Sequence, residues 1–226
     1  MKKIIIYTTK DEVISLHLVK KIVTNEFFNN YQIDIILSRP SFLRKIKIFI
    51  VILFFGSIKD FFKQLKKKVD IEEILSNKNC NLVEKVEKNY DFGLSVYCSS
   101  KITVEKFKIY NFHLGSLEFQ RGSFIFFYKF IKNWQKINLT FHEISERFDV
   151  GKIINEREII LARNCKASDI LLIYLKNLDF LMQSIKKIDS LERKEYKNFT
   201  KLNLVPSFYK LIKEIIFFFI KRFNNH

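Results

Sequence analysis

Apolar and polar positions change period several times along this 226-residue chain, and each change marks an element. Residues 3–7 are short, apolar and β-branched, which is the pattern of a buried strand. Asp11 can cap the helix that follows, where Val13, Leu16, Leu18, Val19 and Val23 recur near helical spacing. Residues 32–37 are rich in isoleucine and predict a second strand, and a strand–helix–strand opening points to an α/β sheet. Residues 42–69 mix Lys and Arg with bulky apolar side chains, with Gly56 as the breaker, and predict one or two helices. Further strands are predicted at 92–97, 109–113, 137–144 and 152–161. Ser168 is a good cap for a helix over 169–187, and Pro206 opens a basic, very apolar helix over 207–223. The chain shows neither an internal repeat nor a low-complexity linker.

Composition narrows the class. Apolar residues make up 48% of the chain, enough for a sizeable core. The formal charge is +16, from 40 basic and 24 acidic residues. Such an excess suits a phosphate-bearing or anionic partner, but codon usage rich in Lys, Ile, Phe and Asn produces it equally well. Cys80, Cys98 and Cys165 are odd in number and widely spaced, so neither a disulfide framework nor a zinc site is suggested and a reducing compartment fits. The apolar run at the N-terminus ends by Tyr7, short of the ~7–15 residues of a signal core. The longest apolar run, 48–55, falls short of the about 20 residues of a spanning helix. A cytoplasmic location is therefore expected.

The stretch from Asn111 to Gly151 carries the candidate chemistry. Three of the five glycines, Gly115, Gly122 and Gly151, fall within it, at turns that can let a ligand approach the backbone. Asn111 and His113 are two apart on a predicted strand and so share one face. An amide there can stabilise a developing oxyanion, and an imidazole can move a proton near neutral pH. Asp149, in a predicted loop, could orient the ring. His142 alternates with Thr140 and reads as a structural hydrogen-bonding group. His113, His142 and Asp149 also have the residue types of a metal site, though no metal is expected.

The joint spacing resembles a known pattern. The segment N-F-H-L-G-S-L-E-F-Q-R-G, 111–122, is similar to the formyltransferase signature N-x-H-P-S-x-L-P-x-x-R-G, with Asn111, His113, Leu117, Arg121 and Gly122 in register. Downstream, Thr140, His142, Asp149, Gly151, Ile153 and Ile154 match the T-x-H-x-x-D-x-G-x-D-x-G-x-I-I block of the same family, and the gap between the blocks fits. The resemblance is firm over about residues 92–161 and extends more loosely over 1–190. It implies a Rossmann-like formyltransferase fold, a mostly parallel twisted sheet flanked by helices, that uses 10-formyltetrahydrofolate as formyl donor. The family's catalytic Asn, His and Asp would be Asn111, His113 and Asp149. Asn111 would steady the oxyanion while a substrate amine attacks the formyl carbon, His113 would manage protons, and Asp149 would hold and tune His113. Ser99, Ser100, Lys101, Ile102, Phe141, Ile144 and Asp149 would form the folate pocket, and Gly115, Ser116, Arg121 and Gly122 the substrate-side loop. Leu114-Gly115 stands where the family has Pro-Ser, and Glu118 where it has its second Pro, which leaves the substrate open.

The expected organisation is a catalytic domain over 1–190 with a short basic, aromatic-rich extension over 191–226. That tail is short for the second domain of a methionyl-tRNA formyltransferase, so no nucleic-acid partner is expected. A nucleotide-linked amino sugar is the favoured amine and glycinamide ribonucleotide the other, since the latter enzymes usually keep the proline pattern. The basic, Phe-rich stretches 44–68 and 209–222 also raise a peripheral contact with the inner face of an anionic membrane. The alternative class is a non-catalytic α/β module binding a phosphorylated or membrane partner through its basic surface.

Overall fold

The computed structural model describes residues 1–10, 13–56, 69–87, 89–98, 100–103, 106–189, 196 and 202–223. The expected Asp11 cap, residue Ser99 and the 57–68 part of the basic apolar stretch lie outside them.

A seven-stranded sheet runs in the order β3-β2-β1-β4-β5-β6-β7. Its members are β1 (Lys2–Thr9), β2 (Tyr31–Ser38), β3 (Cys80–Leu82), β4 (Phe92–Val96), β5 (Ile109–Leu114), β6 (Lys136–Glu143) and β7 (Ile153–Ile160). The first five are parallel, whereas β6 and β7 join antiparallel. Ile4, Ile5 and Ile6 of β1 are all fully buried, because a central parallel strand is covered on both faces and cannot afford alternation. β3 escaped sequence detection because it is three residues long with two exposed.

Helices cover the sheet. They are α1 (Val13–Val23), α2 (Phe42–Phe55), α3 (Ile71–Leu75), α4 (Ile125–Ile131), α5 (Ala167–Leu171), α6 (Ile173–Lys176), α7 (Leu178–Lys186) and α8 (Phe208–Phe223). The side chain of Ser41 caps α2 by accepting from the Arg44 amide at 3.2 Å. The single helix expected over 169–187 is instead three short ones. Its break has a local cause, since the Asn177 side-chain amide donates to the Ile173 carbonyl at 2.9 Å and Asn177 leaves helical geometry, with ψ at 39°. Nor is Ser168 the cap: it is buried within α5, and the Lys166 amide donates to Asp169 at 2.9 Å in the turn that starts the helix.

Residues 202–223 pack into the same core as the rest. Leu211 and Ile215 of α8 are buried in it, and the Phe55 ring lies 5.0 Å from Phe218 and 4.8 Å from Phe130. Asn203 bridges Gly122 as a parallel partner, and the Tyr128 hydroxyl donates to the Leu204 carbonyl at 2.8 Å. Among the described residues no helix is long and apolar enough to cross a membrane.

Candidate active site

β5 presents Asn111 and His113 on one face, and β6 runs antiparallel beside it so that His142 lies opposite Asn111 and Thr140 opposite His113. The loop after β6 brings Asp149 over the same face. The Asp149 Oδ1 atom lies 3.8 Å from His113 Nδ1 and 3.8 Å from His142 Nε2. Three side chains separated along the chain therefore meet at one point, in a cavity of about 290 Å³.

Each orientation follows from a hydrogen bond. His142 Nδ1 is 3.0 Å from the Glu143 carbonyl, which can only accept, so Nδ1 carries the proton. His142 Nε2 is then the acceptor for the Asn111 amide at 3.2 Å. Burial pushes the His142 pKa down to about 4, against the opposing pull of Asp149, and His113 adds to the depression. A neutral His142 thus fixes which end of the Asn111 amide is nitrogen, and one amide N–H remains for a ligand. His113 points Nε2 at the Gln120 carbonyl, 3.3 Å away, and turns Nδ1 towards Asp149. That carbonyl approaches because position 115 is glycine: with φ of +141°, a Cβ there would sit 2.2 Å from the Gln120 oxygen and 2.8 Å from His113 Nε2.

Asp149 itself is strained and pinned. Its φ is +51°, unusual for a non-glycine residue. Arg121 holds it there by donating Nε to the Asp149 carbonyl at 3.0 Å and Nη2 to the Phe148 carbonyl at 2.7 Å, while the Gly122 amide donates to Asp149 Oδ2 at 2.6 Å. Burial alone would raise this carboxyl, but His113, His142, the Gly122 amide and Arg121 together hold it below the usual carboxylate range. It is ionised at neutral pH. The Arg-Gly pair of the first sequence block is thus what locks the Asp of the second.

Of the residues expected in a ligand pocket, Ser100, Lys101, Ile102, Ile144, Asp149 and Gly122 line the cavity. Phe141 is a correction: it is fully buried on the opposite face of β6, stacked on Tyr110 at 5.4 Å, because alternate strand residues point to opposite faces. Gly115 and Ser116 form the buried turn beneath His113 rather than a wall, and Arg121 faces the Asp149 loop. Sequence reasoning missed Arg44 of α2, Tyr174 of α6, Phe126 of α4 and the 202–205 segment, all of which reach the cavity. Tyr174 accepts the Leu114 amide at 2.8 Å, and burial pushes its hydroxyl pKa well up, so it stays neutral. None of these carries a local motif. Among the described residues, no group of three or more His, Cys, Asp or Glu is arranged to hold a metal ion.

An amide donor, an imidazole and an ionised carboxylate around one apolar-walled cavity can bind a carbonyl, stabilise charge on its oxygen and relay a proton. No family model and no curated protein matches the chain. Solved structures do. An N-formyltransferase from Helicobacter canadensis, in complex with folinic acid and dTDP-3-aminofucose, aligns with a TM-score of 0.63 and 18% identity over 99% of this chain and 82% of that one. WlaRD, a sugar 3N-formyl transferase crystallised in the presence of dTDP and 5-N-formyl-THF, aligns with a TM-score of 0.58 and 21% identity over 91% and 69%. A 4-N formyltransferase from Francisella tularensis gives 0.55 and 21% over 92% and 77%. At such identities the likeness establishes architecture: this chain has the α/β fold of the solved sugar N-formyltransferases.

Proposed function

We propose that this chain transfers a formyl group from 10-formyltetrahydrofolate to the amine of a nucleotide-linked amino sugar. The observation that carries the reading is the convergence of Asn111, His113 and Asp149 on one cavity, with Asp149 Oδ1 3.8 Å from His113 Nδ1. The fold shared with structures crystallised with formyl-folates and dTDP ligands supports it. So does the fit of the cavity to the donor. Ile102, Ile144 and Phe148 supply apolar walls for a planar ring system, and Lys101 and Arg147 supply positive charge for an acidic tail.

When bound, the donor supplies an electrophilic formyl carbon. The free N–H of Asn111 is held by His142 to donate to the formyl oxygen as negative charge grows there. His113 takes the proton released by the amine at Nδ1, the ring nitrogen turned to Asp149, while its Nε2–H stays on the Gln120 carbonyl. The buried carboxylate stabilises the imidazolium so formed, which would give its proton to the donor nitrogen as the bond from that nitrogen to the formyl carbon breaks, releasing tetrahydrofolate. Arg44 places positive charge at the cavity, where the phosphates of a nucleotide would lie.

The test is formylation of a panel of dTDP-linked amino sugars with 10-formyltetrahydrofolate, read by mass spectrometry. Wild type should give a product 28 Da heavier, about the mass of an added CO, and His113→Ala or Asp149→Ala should lower turnover by about 10²–10⁴-fold, the usual range for a lost acid–base group. Comparable turnover in the His113→Ala enzyme would refute the role assignment, and no product with any sugar of the panel would refute the substrate class.

A further inference from the structure

α2 and α8 are apolar on two opposite faces, yet the core covers only one face of each. On α2, Val51, Ile52 and Phe55 are buried, while Phe42, Phe49 and Leu53 form an outward stripe at helical spacing, from 53% to 75% exposed. On α8, Leu211 and Ile215 are buried, while Tyr209, Ile216, Phe217 and Ile220 lie on the far side, each at least 51% exposed. A helix that is apolar all round is ordinarily covered all round. The two stripes flank one seam, where the half-exposed Phe54 ring meets Phe219 at 6.1 Å. They are therefore neighbouring parts of one surface rather than scattered residues, and a contiguous apolar patch marks an interaction site.

Charge identifies the occupant. Apart from the cavity-facing Arg44, α2 carries Lys45 and Lys47 and no acid, and α8 carries Lys210, Lys213 and Lys221 against Glu214. Lys210, Lys213 and Lys221 are exposed beside the apolar stripe. A second copy would bring the same positive charges face to face within a chain of net charge +16. A surface of phosphate headgroups over hydrocarbon matches both features at once, with aromatics at the acyl boundary and lysines at the headgroups. We propose that the α2–α8 face docks peripherally on an anionic lipid surface. α2 reaches the cavity through Arg44, and so does the 202–205 segment that leads into α8, so docking would hold the cavity close to the bilayer.

The experiment is sedimentation of the full chain with phosphatidylcholine vesicles and with vesicles containing about 30% phosphatidylglycerol, at about 50 mM and about 500 mM salt. Binding should require the anionic lipid, fall at least about tenfold in high salt, and fall at least about tenfold in a Phe49→Ser/Phe217→Ser double variant, since both components are needed for stable attachment. Both residues are exposed, so the variant should keep the thermal midpoint of the wild type. Absence of binding to anionic vesicles at low salt overturns the proposal. So does undiminished binding by the double variant, which would mean charge alone. A lipid-free dimer in analytical ultracentrifugation that the double variant dissociates would assign the face to a second copy instead. Formyl transfer is assayed separately, so failure of either idea leaves the other standing.

Discussion

Replacing His142 by glutamine isolates the buried imidazole that orients Asn111. Glutamine Oε1 can stand where Nε2 stands and accept the Asn111 amide, but it takes up no proton. In the wild type the folded-state pKa of His142 is depressed to about 4, against about 6.5 in an unfolded chain. The unfolded chain therefore binds more protons between those values, and stability falls as pH falls through that window, with no contribution above it. Integrated from pH 7.5 to pH 5, one such group costs about 2 kcal/mol. Asp149 does not confound the range, because its carboxyl is held below the usual carboxylate value and its own loss comes at lower pH. The assay is urea denaturation at the two pH values, followed through the fluorescence of the single tryptophan, Trp134. Titrations common to both proteins cancel in the difference. The His142→Gln protein should lose about 2 kcal/mol less than wild type on acidification. Equal losses in the two proteins would mean that His142 is not held neutral, and the argument for the Asn111 orientation would go with it.

Two other substitutions test the shell around the site. A Cβ at Gly151 would stand 1.5 Å from the Glu143 carbonyl oxygen, a backbone atom that cannot yield without shifting the end of β6. Gly151→Ala should therefore destabilise by about 3 kcal/mol or more and displace Asp149, which a thermal melt and a turnover assay would register together. Gln120 ties the turn after β5 to β6 through its buried side chain, with Oε1 accepting the Ser116 and Asn138 amides at 3.1 Å each and Nε2 donating to the Lys136 carbonyl at 2.9 Å. Gln120→Leu strands those partners and should cost about 2–4 kcal/mol by urea denaturation. Because the Gln120 carbonyl also holds His113, kcat should fall more than KM rises.

Much of the sheet could be read along the chain because its strands obey local rules. β1, β4, β5 and β6 are apolar or alternating runs bounded by breakers, and they stand within about two residues of their expected places. What escaped needed more than a local apolar pattern. β3 is only three residues long and exists because it pairs with β2, and the break at Asn177 depends on one side chain choosing a backbone carbonyl. Phe141 was misplaced because sequence position beside His142 does not distinguish the two faces of β6, whereas the pleat does.

The chain order alone determined which residues were candidates for the proposed chemistry. Asn111 and His113, two apart on a strand, had to share a face, and the glycine-marked turns had to fall around them. Only the folded molecule decided what those residues are. The antiparallel register of β6 turns His142 from a strand residue into the partner of Asn111, and Arg121 and Gly122 hold Asp149 from 27 or 28 residues away. Protonation state was decided there too, since it depends on burial and on charges brought within 4 Å, neither of which exists in an extended chain.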